Sequence, residues 1–124
     1  MSNACPCRFG EPFDQCCGPL IAREKTAPTA VQLMRSRYTA FAVGDVDYLL
    51  YSWDPSTRPS DLELDPDQRW LFLEVLRTSA GGLLDSEGVV EFRAHYKTAG
   101  QRDSLHEVSK FVRHDGRWVY LGSI

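Results

Sequence analysis

Cysteine is the residue type whose spacing in this chain most directly suggests chemistry. All four cysteines lie within the first seventeen of 124 residues, as Cys5, Cys7, Cys16 and Cys17. A structural zinc site takes four ligands in a tetrahedron, and four thiolates are one of its usual shells. Two close pairs joined by a short loop can supply that shell, so the spacing predicts one structural zinc ion. A closed shell has no open position for water, which argues against a catalytic metal.

Three other uses of clustered thiols compete with zinc. Disulfides are disfavoured because vicinal or one-spaced cysteines meet bridge geometry poorly and because the expected compartment is reducing. A thiol redox site usually has two residues between its cysteines, unlike either pair here. An iron–sulfur cluster also takes four thiolates. The pattern therefore favours zinc and leaves iron open.

The overall charge and hydropathy exclude some partners. The net charge is −3 and the pI is about 5.5, so no general basic field attracts nucleic acid. The segment 54–67 adds five acids against one base. No apolar run approaches the roughly 18 residues of a membrane span, and no secretory signal is visible at the start. We expect a cytoplasmic protein with no membrane or nucleic-acid partner.

Two helices are indicated between the cysteines and the middle of the chain. Thr29 and Gln32 have the spacing of a capping box, and Gly44 is a natural stop. An apolar stripe runs between them at helical spacing. Asp45 can cap a second, shorter helix through Tyr51, and the proline-rich stretch 54–67 then reads as a loop.

The second half of the chain has the alternation of a β-sheet. Strands are predicted at 70–77, 89–98, 104–112 and 118–121, the first chosen over a helix because the rest of this half is β. Residues 79–88 and Asp115-Gly116 supply the hairpin connections. The sequence predicts an α+β fold in which about four antiparallel strands pack on two or three helices.

The cysteine segment resembles a known motif. Cys5-Pro6-Cys7 and Cys16-Cys17-Gly18 are similar to the SEC-C zinc knuckle found at the end of the SecA translocation ATPase. That motif commonly reads Cys-Pro-Cys-Gly-Ser-Gly, then an aromatic residue and Cys-His or Cys-Cys. Here Arg8 and Phe9 replace the usual Gly-Ser, and Phe13 stands near the expected tyrosine. The ligands are retained, whereas the surface of the loop differs.

Nearly the whole chain, from Cys5 to about Tyr120, resembles the YchJ-like family. The matching segments are Ala27-Pro28-Thr29-Ala30, Leu33-Met34-Arg35-Ser36-Arg37-Tyr38, Ser52-Trp53, Val90-Glu91-Phe92-Arg93-Ala94-His95-Tyr96, Leu105-His106-Glu107-Val108-Ser109-Lys110-Phe111 and Gly116-Arg117-Trp118. The resemblance implies a knuckle over residues 1–20 and a nuclear transport factor 2-like domain over 27–124. It further implies a cone-shaped curved sheet with a possible pocket, and no assigned activity.

Strand parity selects candidates for lining that pocket. If Phe92 and Phe111 face the helices, Glu107 and Ser109 face inward too, and an inward acid is costly without partners. Arg35 and Arg37 on the first long helix are plausible partners. The candidate ligand-binding residues are Arg35, Tyr38, Trp53, Tyr96 and Glu107. A structural network is the favoured role for them, and Glu107 as a general base is the alternative.

Two functions remain open from the sequence. The favoured one is a zinc-binding adaptor whose knuckle presents a surface to a protein partner. The alternative is a small-molecule binder or an isomerase-like or dehydratase-like enzyme that uses the pocket. No catalytic triad, phosphate loop or second metal-ligand cluster is visible, which weighs against an enzyme. We also expect chelation to unfold residues 1–20 and to leave most of the remainder intact.

Overall fold

A computed structural model describes residues 4–124, which form four antiparallel strands and three α-helices. The helices are α1 (Gly18–Ile21), α2 (Ala30–Val43) and α3 (Val46–Tyr51), and a single 3₁₀ turn, Phe13–Gln15, precedes them. The strands are β1 (Gln68–Ala80), β2 (Glu87–Thr98), β3 (Gln101–His114) and β4 (Arg117–Ser123). They pair in chain order as one sheet. The predicted α+β class and strand number are confirmed.

The helix boundaries follow local capping chemistry. The Thr29 side chain accepts a hydrogen bond from the Gln32 amide at 3.3 Å, which caps the start of α2. Gly44 ends α2 in the left-handed conformation with φ of 81°, a conformation that favours glycine. The Asp45 carboxylate then accepts from the Tyr48 amide at 3.0 Å and begins α3. The predicted helix limits at Thr29, Gly44 and Asp45 are confirmed, with Thr29 also donating from its hydroxyl to Gln32 Oε1 at 3.0 Å.

The strands are longer than their alternation indicated, and they are bent. Residues 70–77 lie inside β1, so the choice of strand over helix is confirmed. The pairing of β1 with β2 shifts register twice, between Trp70 and Phe72 and between Val75 and Arg77. Such bulges increase local twist and curvature. The sheet therefore curves around α2, which contacts β1, β2 and β4.

The main hydrophobic core lies between α2 and the inner face of the sheet, and it includes part of the cysteine segment. Its larger members are Leu33, Met34, Tyr38, Phe92, Phe111 and Trp118, and Cys5, Cys7 and Cys17 belong to the same cluster. A second, smaller cluster joins α2 to α3 through Ala40, Tyr48 and Leu49. No helix among the described residues is both long and apolar enough to cross a membrane.

The start of α2 is locked against the β1–β2 hairpin by a close approach of two glycines. The Ala30 amide donates to the Gly81 carbonyl at 2.9 Å. A Cβ at Gly88 would lie 2.5 Å from Gly81 Cα, which is closer than side-chain atoms tolerate. This contact fixes where the first turn of α2 meets the sheet.

We expect Gly88→Ala to lower the free energy of unfolding by about 2 kcal/mol, because the added methyl must displace backbone. Denaturant unfolding measures the change. Gly82→Ala is the matched control, since a Cβ there has its nearest contact at 3.4 Å and φ is not positive. Equal stability of the two variants would contradict the packing argument.

Candidate metal centre and cavity

The four cysteine sulfurs converge on one point. The Sγ atoms of Cys7 and Cys16 lie 3.6 Å apart and those of Cys16 and Cys17 lie 3.9 Å apart. All four ligand atoms lie within 4.8 Å of one another. A tetrahedron with metal–sulfur bonds near 2.3 Å has edges of about 3.8 Å. The donor set and its spacing are compatible with one bound metal ion.

Two backbone turns bring the cysteine pairs together. The Arg8 amide donates to the Cys5 carbonyl at 2.9 Å, which curls the first pair. The Cys5 amide donates to the Glu11 carbonyl at 3.1 Å and brings the loop back. The turn Phe13–Gln15 then positions Cys16 beside the first pair. The Cys16 amide donates to the Phe13 carbonyl at 3.2 Å. Short-range hydrogen bonds therefore set the positions of all four sulfurs.

Arg8 adopts a conformation that explains the glycine usual in this motif. Its φ is 58°, in the left-handed region where a side chain costs roughly 1–2 kcal/mol relative to the common conformations. The Arg8 guanidinium lies 5.6 Å from the centre of the Phe72 ring on β1. This contact links the knuckle loop to the sheet and offsets part of the cost.

The crowded thiols cannot all ionise without a cation. Hydrogen bonding from Cys17 and Cys7 lowers the pKa of the Cys5 thiol. Burial and the neighbouring Cys7 raise the pKa of Cys16 to about 12, and hydrogen bonding to Cys5 raises the pKa of Cys17. A divalent cation removes this competition because it stabilises every thiolate together.

The knuckle is packed against α2 and is not an independent appendage. The exposed fractions of Cys5, Cys7 and Cys17 are 1%, 0% and 1%. The Thr39 hydroxyl on α2 lies 3.6 Å from Cys5 Sγ, within range of a hydrogen bond to sulfur. Of the knuckle that the sequence predicts over residues 1–20, the described part, residues 4–20, thus shares its core with the larger domain, and residues 1–3 lie outside the described residues. The expectation that chelation would leave most of the remainder intact does not fit this packing.

A second feature is a cavity of about 350 Å³ between α2 and the concave face of the sheet. Most of its lining is apolar or aromatic: Met34, Phe41, Trp53, Trp70, Phe92, Ala94 and Leu105. Polar groups come from Arg37, Tyr38, Gln68, Glu107, Ser109 and Tyr120. Cavities of this size and mixed lining are typical of small-molecule sites.

Glu107 supplies a fixed carboxylate on the cavity wall. Its Oε2 accepts hydrogen bonds from the Ser109 hydroxyl and, at 3.0 Å, from the Tyr120 hydroxyl. Burial, followed by the nearby Glu107 charge, raises the pKa of Tyr120 to about 12, so that this phenol remains a donor. No described residue donates to Oε1. One carboxylate oxygen is therefore held in place and the other remains an acceptor.

Arg37 supplies a buried positive charge to the same cavity. Its Nη1 donates to the Leu49 carbonyl at 2.8 Å and to the Ser52 hydroxyl at 2.7 Å. The guanidinium carbon lies 4.6 Å from the Tyr120 ring centre and 5.0 Å from that of Trp53. Burial lowers the pKa of Arg37 to about 10, which leaves it charged at neutral pH. Among the described residues, no carboxylate forms an ion pair with it within 4.0 Å.

Two buried donors on the cavity wall lack partners. The Tyr38 hydroxyl and the Trp53 indole N–H are inaccessible and form no hydrogen bond with any described residue. Trp53 is held by the chain that follows α3, where the Asp54 amide donates to the Tyr120 carbonyl at 2.8 Å. A buried unsatisfied donor costs about 1–3 kcal/mol, so an acceptor from a bound molecule would stabilise either group.

The structure separates the five predicted pocket residues into two groups. Tyr38, Trp53 and Glu107 line the cavity. Arg35 does not, and its inclusion is a correction: the guanidinium lies 4.6 Å over the Phe9 ring at the knuckle. Tyr96 is also outside the lining, and its ring meets that of the lining residue Trp70 edge-on at 5.4 Å.

Sequence reasoning missed Tyr120 as a partner of Glu107, although a signal was present. Asp115-Gly116 is a two-residue turn, and counting back from it pairs Tyr120 with Phe111 across the hairpin. Since Phe111 faces inward, Tyr120 must share that face. The aromatic walls formed by Phe41 and Trp70 had no comparable signal, because α2 and β1 are far apart in sequence.

Comparisons with known proteins agree with one another. The family model described as "YchJ, middle NTF2-like domain" matches residues 29–123. A UPF0225 protein of Chromobacterium violaceum is 50% identical over 125 aligned positions, covering 98% of this chain and 92% of that protein. A UPF0225 protein of Streptomyces coelicolor is 50% identical over 116 positions, covering 94% and 90%.

Two solved structures are similar along most of the chain. The solution structure of a SEC-C motif containing protein from Rhodopseudomonas palustris has a TM-score of 0.85 at 37% identity, covering 100% of this chain and 98% of that one. The crystal structure of a SEC-C motif containing protein from Psychrobacter arcticus has a TM-score of 0.78 at 27% identity, covering 94% and 79%.

Proposed function

The chain belongs to the YchJ family of SEC-C motif proteins, and we propose that it is a zinc-stabilised protein that binds a small organic molecule in its cavity. The observation that carries the binding proposal is the carboxylate of Glu107. A half-buried acid with one oxygen anchored by two hydroxyls and the other unbonded is arranged to accept a hydrogen bond from a ligand.

Zinc is the metal that best suits the cysteine cluster. Sulfur separations of 3.6 and 3.9 Å match a single tetrahedral ion. An iron–sulfur cluster inserts several atoms between its thiolates and so holds them farther apart. With no open position on the ion, its role is structural. Thiolates of this kind stay reduced in the cytoplasm, where we place the protein.

The contacts of the cluster indicate what the metal stabilises. Three ligands lie in the main core, beside residues of α2 and the sheet. Without the ion, these thiols cannot all ionise, and the metal–thiolate bonds that would hold this part of the core together are absent. Metal binding should therefore contribute to the folding free energy of the whole domain and not only to that of the knuckle.

We expect one zinc ion per freshly purified, reduced chain, and we expect chelation to reduce amide protection across β2, β3 and β4. Metal analysis and hydrogen exchange measure the two results, and re-addition of zinc should restore protection. Loss of protection confined to residues 4–20 would instead indicate an independent knuckle. Absence of zinc from the purified chain would contradict the assignment of the metal.

The cavity proposal is tested by what the protein carries when it is purified gently. Native mass spectrometry of wild-type protein should detect a non-covalent ligand in addition to zinc. Glu107→Gln should lose most of it, because hydrogen bonds to a charged acceptor are stronger than those to a neutral one. Glu63→Gln, an exposed change in the 54–67 loop, is the control and should keep it.

Three results together would contradict the cavity proposal. The cavity would be a packing defect if no ligand is detected, if no compound in a metabolite panel raises the melting temperature, and if Glu107→Gln increases stability. In that case Glu107, Ser109 and Tyr120 form only an internal network.

One observation favours an adaptor role as a second candidate. Phe9 on the knuckle loop is 61% exposed, at a position where the motif usually has a small polar residue, and Arg35 lies over its ring. An exposed aromatic residue beside an arginine is typical of the centre of a protein interface.

We expect a partner that binds the knuckle to be lost on Phe9→Ser and retained on Val43→Ser. Val43 is similarly exposed, at 57%, but lies at the end of α2. Affinity purification with each variant compares the bound proteins. The same set from both variants would remove the support for this role. Point variants are preferable to deletion of the knuckle, because that deletion would open the shared core.

A further inference from the structure

The cavity contains two opposite charges that do not neutralise each other directly. Arg37 and Glu107 both line it, yet no ion pair joins them within 4.0 Å. Tyr120 touches both, through its ring at 4.6 Å from the guanidinium and its hydroxyl at 3.0 Å from Glu107 Oε2. The two charged groups thus border one aromatic side chain, with a gap between them.

We propose that the ligand of this cavity is an uncharged, planar ring compound with a lactam edge, meaning an N–H donor next to a C=O acceptor within the ring. The inference rests on the proposed binding function and specifies its chemical class. The charges, the hydrogen-bonding atoms and the walls of the cavity each support one part of it.

The pair of charges selects against ligands that carry a net charge. A carboxylate or phosphate that approached Arg37 would enter the same cavity as the Glu107 carboxylate. An amine that approached Glu107 would meet the Arg37 guanidinium. Repulsion of this kind is stronger beside a buried group such as Arg37 than in open water. A neutral group with a local dipole interacts favourably with both charges and is repelled by neither.

The available hydrogen-bonding atoms match the two sides of a lactam. Oε1 of Glu107 accepts from no described residue and can accept from a ring N–H. On Arg37, Nη1 donates to Leu49 and Ser52, whereas no described residue accepts from Nε or Nη2, so these two nitrogens can donate to a carbonyl. A donor and an acceptor on neighbouring ring atoms can bridge charged groups that are too far apart to pair directly.

The walls favour a planar apolar body. Phe41 and Trp70 lie with ring centres 5.8 Å apart, and Trp70 meets Tyr38 edge-on at 5.9 Å. Phe92 closes the cavity from β2. Aromatic faces and edges in this arrangement stabilise a flat ring system by stacking and edge contacts.

Three bicyclic probes of nearly the same shape test the inference by isothermal titration calorimetry on the zinc-loaded full chain. Carbostyril carries the lactam edge, quinaldate carries a carboxylate on the same ring system, and quinaldine has a methyl group and no N–H. We expect carbostyril to bind at least about tenfold more tightly than either of the other probes. Quinaldine lacks the N–H that would donate to the Glu107 carboxylate, and quinaldate adds a carboxylate that Glu107 repels.

A variant then locates the effect. Glu107→Gln should weaken carbostyril about tenfold and should reverse the order, so that quinaldate binds better than carbostyril. Removal of the Glu107 charge leaves the Arg37 charge unopposed. Glu63→Gln should keep the wild-type order. Equal zinc content and an unchanged far-ultraviolet circular dichroism spectrum show that each variant is folded.

The outcomes separate the ligand class from the proposed function. If quinaldate or quinaldine binds the wild-type chain as tightly as carbostyril, the cavity binds small molecules but the lactam class is wrong. If no probe binds, the lactam class is also wrong, and the mass-spectrometric search for a native ligand decides the proposed function independently. The wild-type comparison requires no variant and therefore does not depend on how Glu107→Gln folds.

Discussion

The packing of cysteine sulfur against α2 is the interaction on which most of this molecule depends. Three of the four clustered cysteines are almost fully buried in the main core. A set of thiolates in such a place is destabilising unless a cation compensates it, and burial without compensation is among the costliest arrangements in a protein. The cysteine cluster is therefore part of the hydrophobic core, and a metal ion bound by it would be part of that core too.

Helix α2 is the element through which the two features of the protein meet. Three consecutive residues of α2 contribute to the two features. Arg37 and Tyr38 line the cavity, and the Thr39 hydroxyl lies 3.6 Å from Cys5 Sγ. A rotation or shift of α2 would move all three together, because a helix is stiff over one turn. The shape of the cavity and the geometry of the cysteine cluster are thus mechanically connected, although the cysteines do not line the cavity.

The polar groups around the cavity lower the free energy of unfolding of the protein. A buried guanidinium, an inward carboxylate and two unpartnered donors would each be cheaper as apolar side chains. Arg37 is partly compensated by Leu49, Ser52 and two aromatic rings. Glu107 is compensated by Ser109 and Tyr120. Polar groups kept at such cost beside a cavity are the observation on which the binding proposal rests.

Local chemistry alone determined the features that the sequence predicted correctly. Cysteine spacing identified the clustered set, side-chain caps placed the limits of α2 and α3, and strand parity turned Glu107 inward. Each of these depends on residues close in sequence. The tertiary structure decided what depends on how distant elements cross. Arg35 and Arg37 are roughly 200° apart around a helix, so only the docking of α2 on the bent sheet assigns one to the knuckle and the other to the cavity. The docking of distant elements also decides that the knuckle shares the core of the larger domain. Contacts between segments that are remote in sequence produce no periodic pattern from which they could be predicted.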